Sequence, residues 1–143
     1  MLISTRSRYG LKIMYELALK HGAQPVFLKD IARAHRMSEK YLSKLVIPLR
    51  GQGLITSYRG AHGGYTLSRD PGTITVREIV QALEGDIVPA TRHRGTRAAN
   101  RPPEHPTENV WALLEQSVNA ALENVTLESL LKLEREGVLN YQI

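Results

Sequence analysis

The run Arg59-Gly60-Ala61-His62-Gly63-Gly64-Tyr65 sets a guanidinium and an imidazole among three glycines. That mixture suits close approach of a backbone and a cation to a polyanion. Glycine-rich loops that cradle nucleotide phosphates lie between a strand and a helix, with Gly-Lys-Ser/Thr after them. This run lies between two β-rich stretches and no such tripeptide follows, so the tip of a hairpin is the better reading. Arg59 at such a tip suits a minor groove, where a narrow A·T-rich segment focuses negative potential. Gly60, His62 and Gly63 accompany it there.

A second group of polar side chains, Ser38, Glu39, Lys40, Tyr41, Ser43, Lys44 and Arg50, is interleaved with Leu42, Leu45, Val46 and Leu49 at helical spacing. A helix of this kind buries its leucines and presents hydroxyls and cations, which suit base edges and phosphates. Arg6, Arg8 and Tyr9 at the start of the chain belong to the same candidate DNA-binding set.

Other chemistries find less support. There are no cysteines, which removes disulfides, thiolate nucleophiles and Cys-held metal centres. No Ser/His/Asp order with an oxyanion loop and no recognisable carboxylate pair appears, so His62, His93 and His105 are the only handles for an enzyme reading, and a non-enzyme is expected. His93 and His105 lie twelve residues apart with Glu104 beside the second. These three are weak metal candidates, because the spacing matches no zinc signature.

The elements that position these residues follow from periodicity and capping. Tyr9, Ile13, Met14, Leu17 and Ala18 mark a first helix that stops near Gly22, and Leu28, Ile31, Ala32 and His35 mark a second. Arg36-Met37-Ser38 is a short turn into a third helix over 39–50, with Ser38 as its N-cap and Pro48 expected to kink or tighten its last turn. Two short strands flank the glycine-rich run. Thr75 and Glu78 form a capping box for a fourth helix carrying Ile79, Val80 and Leu83. No period fits the stretch before Pro106, which reads as a long loop. A broad apolar stripe, Val110, Trp111, Leu114, Val118, Leu122 and Val125, then marks a long helix, and Thr126 caps one more.

The expected fold is mainly α with a small β part (α+β): a winged helix-turn-helix in 1–85, a loop in 86–108 and dimerisation helices in 109–143. Charge follows this division. Residues 1–85 hold 13 Lys/Arg against 6 Asp/Glu, and residues 111–143 hold 2 against 5, within an overall +5. A basic module joined to an acidic one fits a polyanion binder attached to a protein-contact surface. The apolar stripe is too large for a small winged domain to hide, and pairing with a symmetry mate would bury it. No signal peptide and no run of 18 apolar residues is evident, so a cytoplasmic protein without membrane contact is expected.

Four stretches carry a resemblance: Leu2-Ile3-Ser4-Thr5-Arg6-Ser7-Arg8-Tyr9-Gly10-Leu11, Ser38-Glu39-Lys40-Tyr41-Leu42-Ser43-Lys44-Leu45, Leu49-Arg50-Gly51-Gln52-Gly53-Leu54-Ile55 and the 59–65 run. Together they resemble the IscR/NsrR/CymR family of bacterial winged-helix regulators, also called the Rrf-two type, most nearly its cluster-free CymR-like branch. The resemblance implies a homodimeric transcription regulator, usually a repressor, whose third helix reads a dyad-symmetric operator in double-stranded DNA and whose wing Arg59 contacts the minor groove. It also implies a long helix over 110–124 crossing to the partner subunit. Many members hold an iron–sulfur cluster on three Cys, and those positions align with His93, Ala99 and His105, so no such cofactor is expected. The branch implies sulfur, cysteine or iron–sulfur metabolism genes as targets and a regulatory enzyme as a possible partner. Two alternatives stay open: a protein-binding adaptor that keeps the winged fold, and a metal-responsive sensor using His93 and His105.

Overall fold

The computed structural model describes residues 3–85 and 105–137. In chain order they form α1 (Thr5–Leu19), α2 (Leu28–His35), α3 (Glu39–Gly51), β1 (Ile55–Tyr58), β2 (Gly64–Leu67), a 3-10 turn (Pro71–Thr73), α4 (Val76–Glu84), α5 (Glu108–Glu123) and α6 (Leu127–Arg135). The fold is therefore mostly helical with one small antiparallel sheet, as the periodicity and the resemblance imply.

Helices α1, α3, α4 and α6 each begin where a side chain satisfies an open amide. Ser4 Oγ accepts from Arg6 N at 3.2 Å, Ser38 Oγ from Tyr41 N at 3.3 Å, and Thr75 Oγ1 from Glu78 N at 3.2 Å. Glu78 answers by accepting from Thr75 N at 3.0 Å, which completes the capping box read from the sequence. The first helix runs from Thr5, with Ser4 as its cap. The third helix continues through Pro48 to Gly51. Tightening comes after it: Gly53, at φ 72°, lets Leu54 N reach Leu49 O at 3.0 Å and closes the helix end.

The strands pair Ile55 with Leu67 and Tyr58 with Gly64. A third short segment joins them, since Val26 and Tyr65 exchange both backbone hydrogen bonds, at 2.8 and 2.9 Å. This pins the connection between α1 and α2 to the hairpin.

The core draws on almost every element. Ile13, Met14 and Leu17 of α1, Ile31 of α2, Leu42, Leu45 and Leu49 of α3, Leu54, Ile74, Ile79 of α4 and Leu127 of α6 are all essentially inaccessible to solvent. Each such side chain contributes roughly 1.5–3 kcal/mol of burial. Leu127 and Leu131 show that the segment beyond residue 108 divides in two. Helix α6 docks back on the winged core, held by Val76 N to Val125 O at 2.8 Å and Leu127 N to Ile74 O at 3.1 Å, whereas α5 contains no buried residue.

Candidate nucleic-acid interface

Three elements carry the polar residues singled out above, and specific contacts tie them together. Ser38, Glu39, Lys40, Ser43, Lys44 and Arg50 are all exposed on or at the cap of α3, and Tyr41 is half-buried. The Tyr41 ring meets Tyr9 of α1 edge-on, 5.6 Å between centroids with planes at 81°. At the other end of α3, Arg50 Nη1 donates to Ser57 Oγ of β1 at 3.4 Å. Helix α3 is thus braced by α1 on one side and by the hairpin on the other.

The first turns of α1 are positioned from afar. Glu84, the last residue of α4, accepts from the Ser4 amide at 3.1 Å, from the Ser4 hydroxyl, and from Ser7 Oγ at 2.7 Å. Burial pushes the Glu84 carboxyl upward, but those donors and the nearby Arg6 charge outweigh it and hold the group below the usual carboxylate range. Arg6 and Arg8 stay exposed on this clamped turn, and Lys12 lies over the Tyr9 ring at 5.7 Å.

The wing explains its glycines by its own geometry. Gly63 N bonds Gly60 O at 3.0 Å to close the turn, and Gly60 has φ 100°. Gly63 is buried, and a Cβ there would sit 2.6 Å from Tyr58 O. Gly64 has φ 123°, and a Cβ would sit 2.5 Å from Val26 O, the carbonyl that pairs with Tyr65. Gly63 and Gly64 thus shape the wing rather than offer a surface. Arg59, Gly60 and His62 remain exposed around it.

Two exposed residues of this region were not legible as candidates. Arg36 occupies the left-handed conformation, φ 53°, that ends α2, so its side chain leaves the turn of the helix-turn-helix toward solvent. Ile47 is 64% exposed on the polar face of α3. A helical wheel places it opposite Leu49, but its apolar character draws it toward the core in any reading by composition.

The stripe on α5 is open at its N-terminal end: Val110 is 59%, Trp111 49% and Leu114 37% exposed. Val118, Leu122 and Val125 are half-buried, near the place where Arg77 of α4 donates from Nε to Asn119 Oδ1 at 3.3 Å. Of the metal candidates, His93 and Glu104, together with Ala99 at the aligned third position, lie outside the described residues. His105 is exposed, and its Nδ1 accepts from Thr107 N at 3.2 Å. Among the described residues no helix is long and apolar enough to cross a membrane.

A short helix pair with a tight turn, an exposed cationic second helix and a braced glycine-tipped hairpin define a winged helix-turn-helix DNA-binding protein. The model of the Rrf2 family, described as an iron-dependent transcriptional regulator, matches residues 3–133, and the chain belongs to that family. It is 45% identical over 130 residues to the HTH-type transcriptional regulator CymR of Bacillus subtilis strain 168, covering 91% of this chain and 89% of that protein. To the HTH-type transcriptional regulator IscR of Xenorhabdus nematophila it is 35% identical over 132 residues, covering 92% and 80%. The solved structure of CymR, the global cysteine regulator of B. subtilis, superposes with a TM-score of 0.77 at 44% identity, over 91% of this chain and 95% of that one. An IscR structure from T. potens gives 0.75 at 36%, over 92% and 87%. The chain is a DNA-binding transcription regulator, and its relatives bear the names of regulators rather than of enzymes.

Proposed function

We propose that two copies of this chain, joined through α5, bind a dyad-symmetric operator with α3 in the major groove and the wing in the minor groove, and repress genes of cysteine and sulfur metabolism. The observation that carries this reading is the exposed Lys40, Ser43, Lys44 and Arg50 face, bonded through Arg50 and Ser57 to the hairpin that presents Arg59. Cations on α3, on the first turn of α1 and on the wing make phosphate contacts, while Ser43 and Lys44 reach base edges. The target class is drawn from the B. subtilis relative named as the global cysteine regulator. Such a regulator acts where the chromosome lies, which in bacteria is the cytoplasm.

The regulator works without a thiolate-held cluster. The chain has no cysteine at all, and imidazole at two aligned positions with Ala99 at the third does not replace three thiolates. Its signal then comes from outside the chain, and a partner enzyme is the source favoured here.

Selecting duplexes from a random library with the full chain tests the proposal. The expected product is a palindrome whose binding weakens by about one power of salt concentration per phosphate contacted. Arg59→Ala should relax preference at the A·T-rich positions under the wing, and recovery of no duplex would defeat the reading. Transcripts measured with and without the protein then test the choice of genes.

A further inference from the structure

The polar face of α3 has an apolar centre. At roughly 100° per residue, Ile47 lies about 160° around the helix from Leu49 and within about 60° of each of Lys40, Ser43, Lys44 and Arg50. It is 64% exposed, while Leu42, Leu45, Val46 and Leu49 are buried on the opposite side. Most of its surface is therefore open, although α1 and the hairpin brace the helix at both flanks.

Single exposed apolar residues are ordinary on a protein surface. Position makes this one different. It stands in the middle of the stripe that faces the major groove, where cations and hydroxyls have phosphates and base edges to bond and an isoleucine has neither. The apolar group that DNA displays in that groove is the C5-methyl of thymine. The branched side chain is stiff at χ1, so it arrives with little rotamer freedom left to lose.

We infer that Ile47 is a specificity-determining residue that packs on the C5-methyl of one thymine in each operator half-site. Lys40, Lys44 and Arg50 fix the register of the helix through phosphates, and Ile47 then selects thymine over cytosine at the base beneath it. The inference rests on the proposed docking of α3 in the major groove.

Replacing thymine by deoxyuridine removes the methyl and leaves the base pair intact, so it isolates this contact. The experiment uses duplexes selected with the full-length chain and scans each thymine in turn. Loss of one buried methyl corresponds to about a fourfold weakening per half-site, and to roughly an order of magnitude when both half-sites are changed. Ile47→Val should retain most of that sensitivity. Ile47→Ala should bind the parent duplex more weakly and the deoxyuridine duplex with nearly the same affinity. The alanine favours the helix and vacates no buried space, and a melt by circular dichroism confirms that the fold is kept. If no thymine is methyl-sensitive, or if the sensitive one is equally so with Ile47→Ala, the inference falls while the docking of α3 stands. If no duplex is selected, both fall together.

Discussion

Tyr9 of α1 and Tyr41 of α3 meet edge to face, 5.6 Å apart at 81°, and this pair ties α3 to the first helix of the domain. Such aromatic pairs contribute about 0.5–1.5 kcal/mol beyond the area they bury. A double-mutant cycle with Tyr9→Leu and Tyr41→Leu, read by urea unfolding, should return a coupling in that range. Both single variants should also lose operator affinity by more than their stability loss explains, since α3 is then less well aimed. Additive effects on unfolding would show that the rings merely lie near each other.

Much of this arrangement can be read in the residues because its causes are local. The Thr75 and Glu78 capping box, the Ser38 cap and the leucine stripe of α3 are all set by neighbours within a few positions. Glu84 is different. Its donors Ser4 and Ser7 lie 80 and 77 residues away, and nothing in their own vicinity marks them as partners. The return of α6 to the core is similar: Thr126 announces a helix, but only the pairing around Ile74 and Val76 decides which unit it joins. For the wing, composition identifies the element but not the tight fit of Gly63 and Gly64, because a close carbonyl such as Tyr58 O comes into place only once the turn has closed.

Arg36 makes a prediction in which backbone and charge act in opposite directions. It ends α2 at φ 53°, a conformation that glycine adopts freely and that costs an ordinary residue about 1 kcal/mol. Arg36→Gly should therefore raise the melting temperature by a few degrees, the greater backbone freedom of glycine when unfolded offsetting part of the gain. The same variant removes an exposed cation beside α3 and should lower non-specific DNA affinity. A melt that falls would mean that the arginine side chain stabilises the fold by packing that outweighs the backbone strain.

The Glu84 clamp gives stability a pH dependence whose direction is fixed. Its carboxyl is held below the ordinary range when folded, so the unfolded chain binds the proton first as acid is added. The stabilisation is fully present above the unfolded value of about 4.3 and is lost as pH falls through the lower folded one. Glu84→Gln should therefore melt below the parent protein at pH 7, with the gap narrowing steadily as the pH is brought below about 4. A gap that stays constant would mean that shape and not charge holds the α1 terminus.

Trp111 tests how the protein assembles. Residues Val110, Trp111 and Leu114 put three large apolar side chains in water on a helix with no buried residue of its own, an arrangement that a single copy gains nothing from. In a two-fold pair the two stripes would pack against each other, so a charge introduced there enters the interface twice. Trp111→Glu should shift the sedimenting species from dimer to monomer at micromolar concentration. Its intrinsic melt should change little, because the winged core closes through α6 and not through α5. Binding to a full palindrome should drop to the level of an isolated half-site, since two linked half-sites hold DNA far more tightly than either alone. Half-site binding that survives in this variant, together with loss of the palindrome preference, separates the role of α5 in pairing from that of α3 and the wing in contact with DNA. A monomeric parent protein would require another cover for this face.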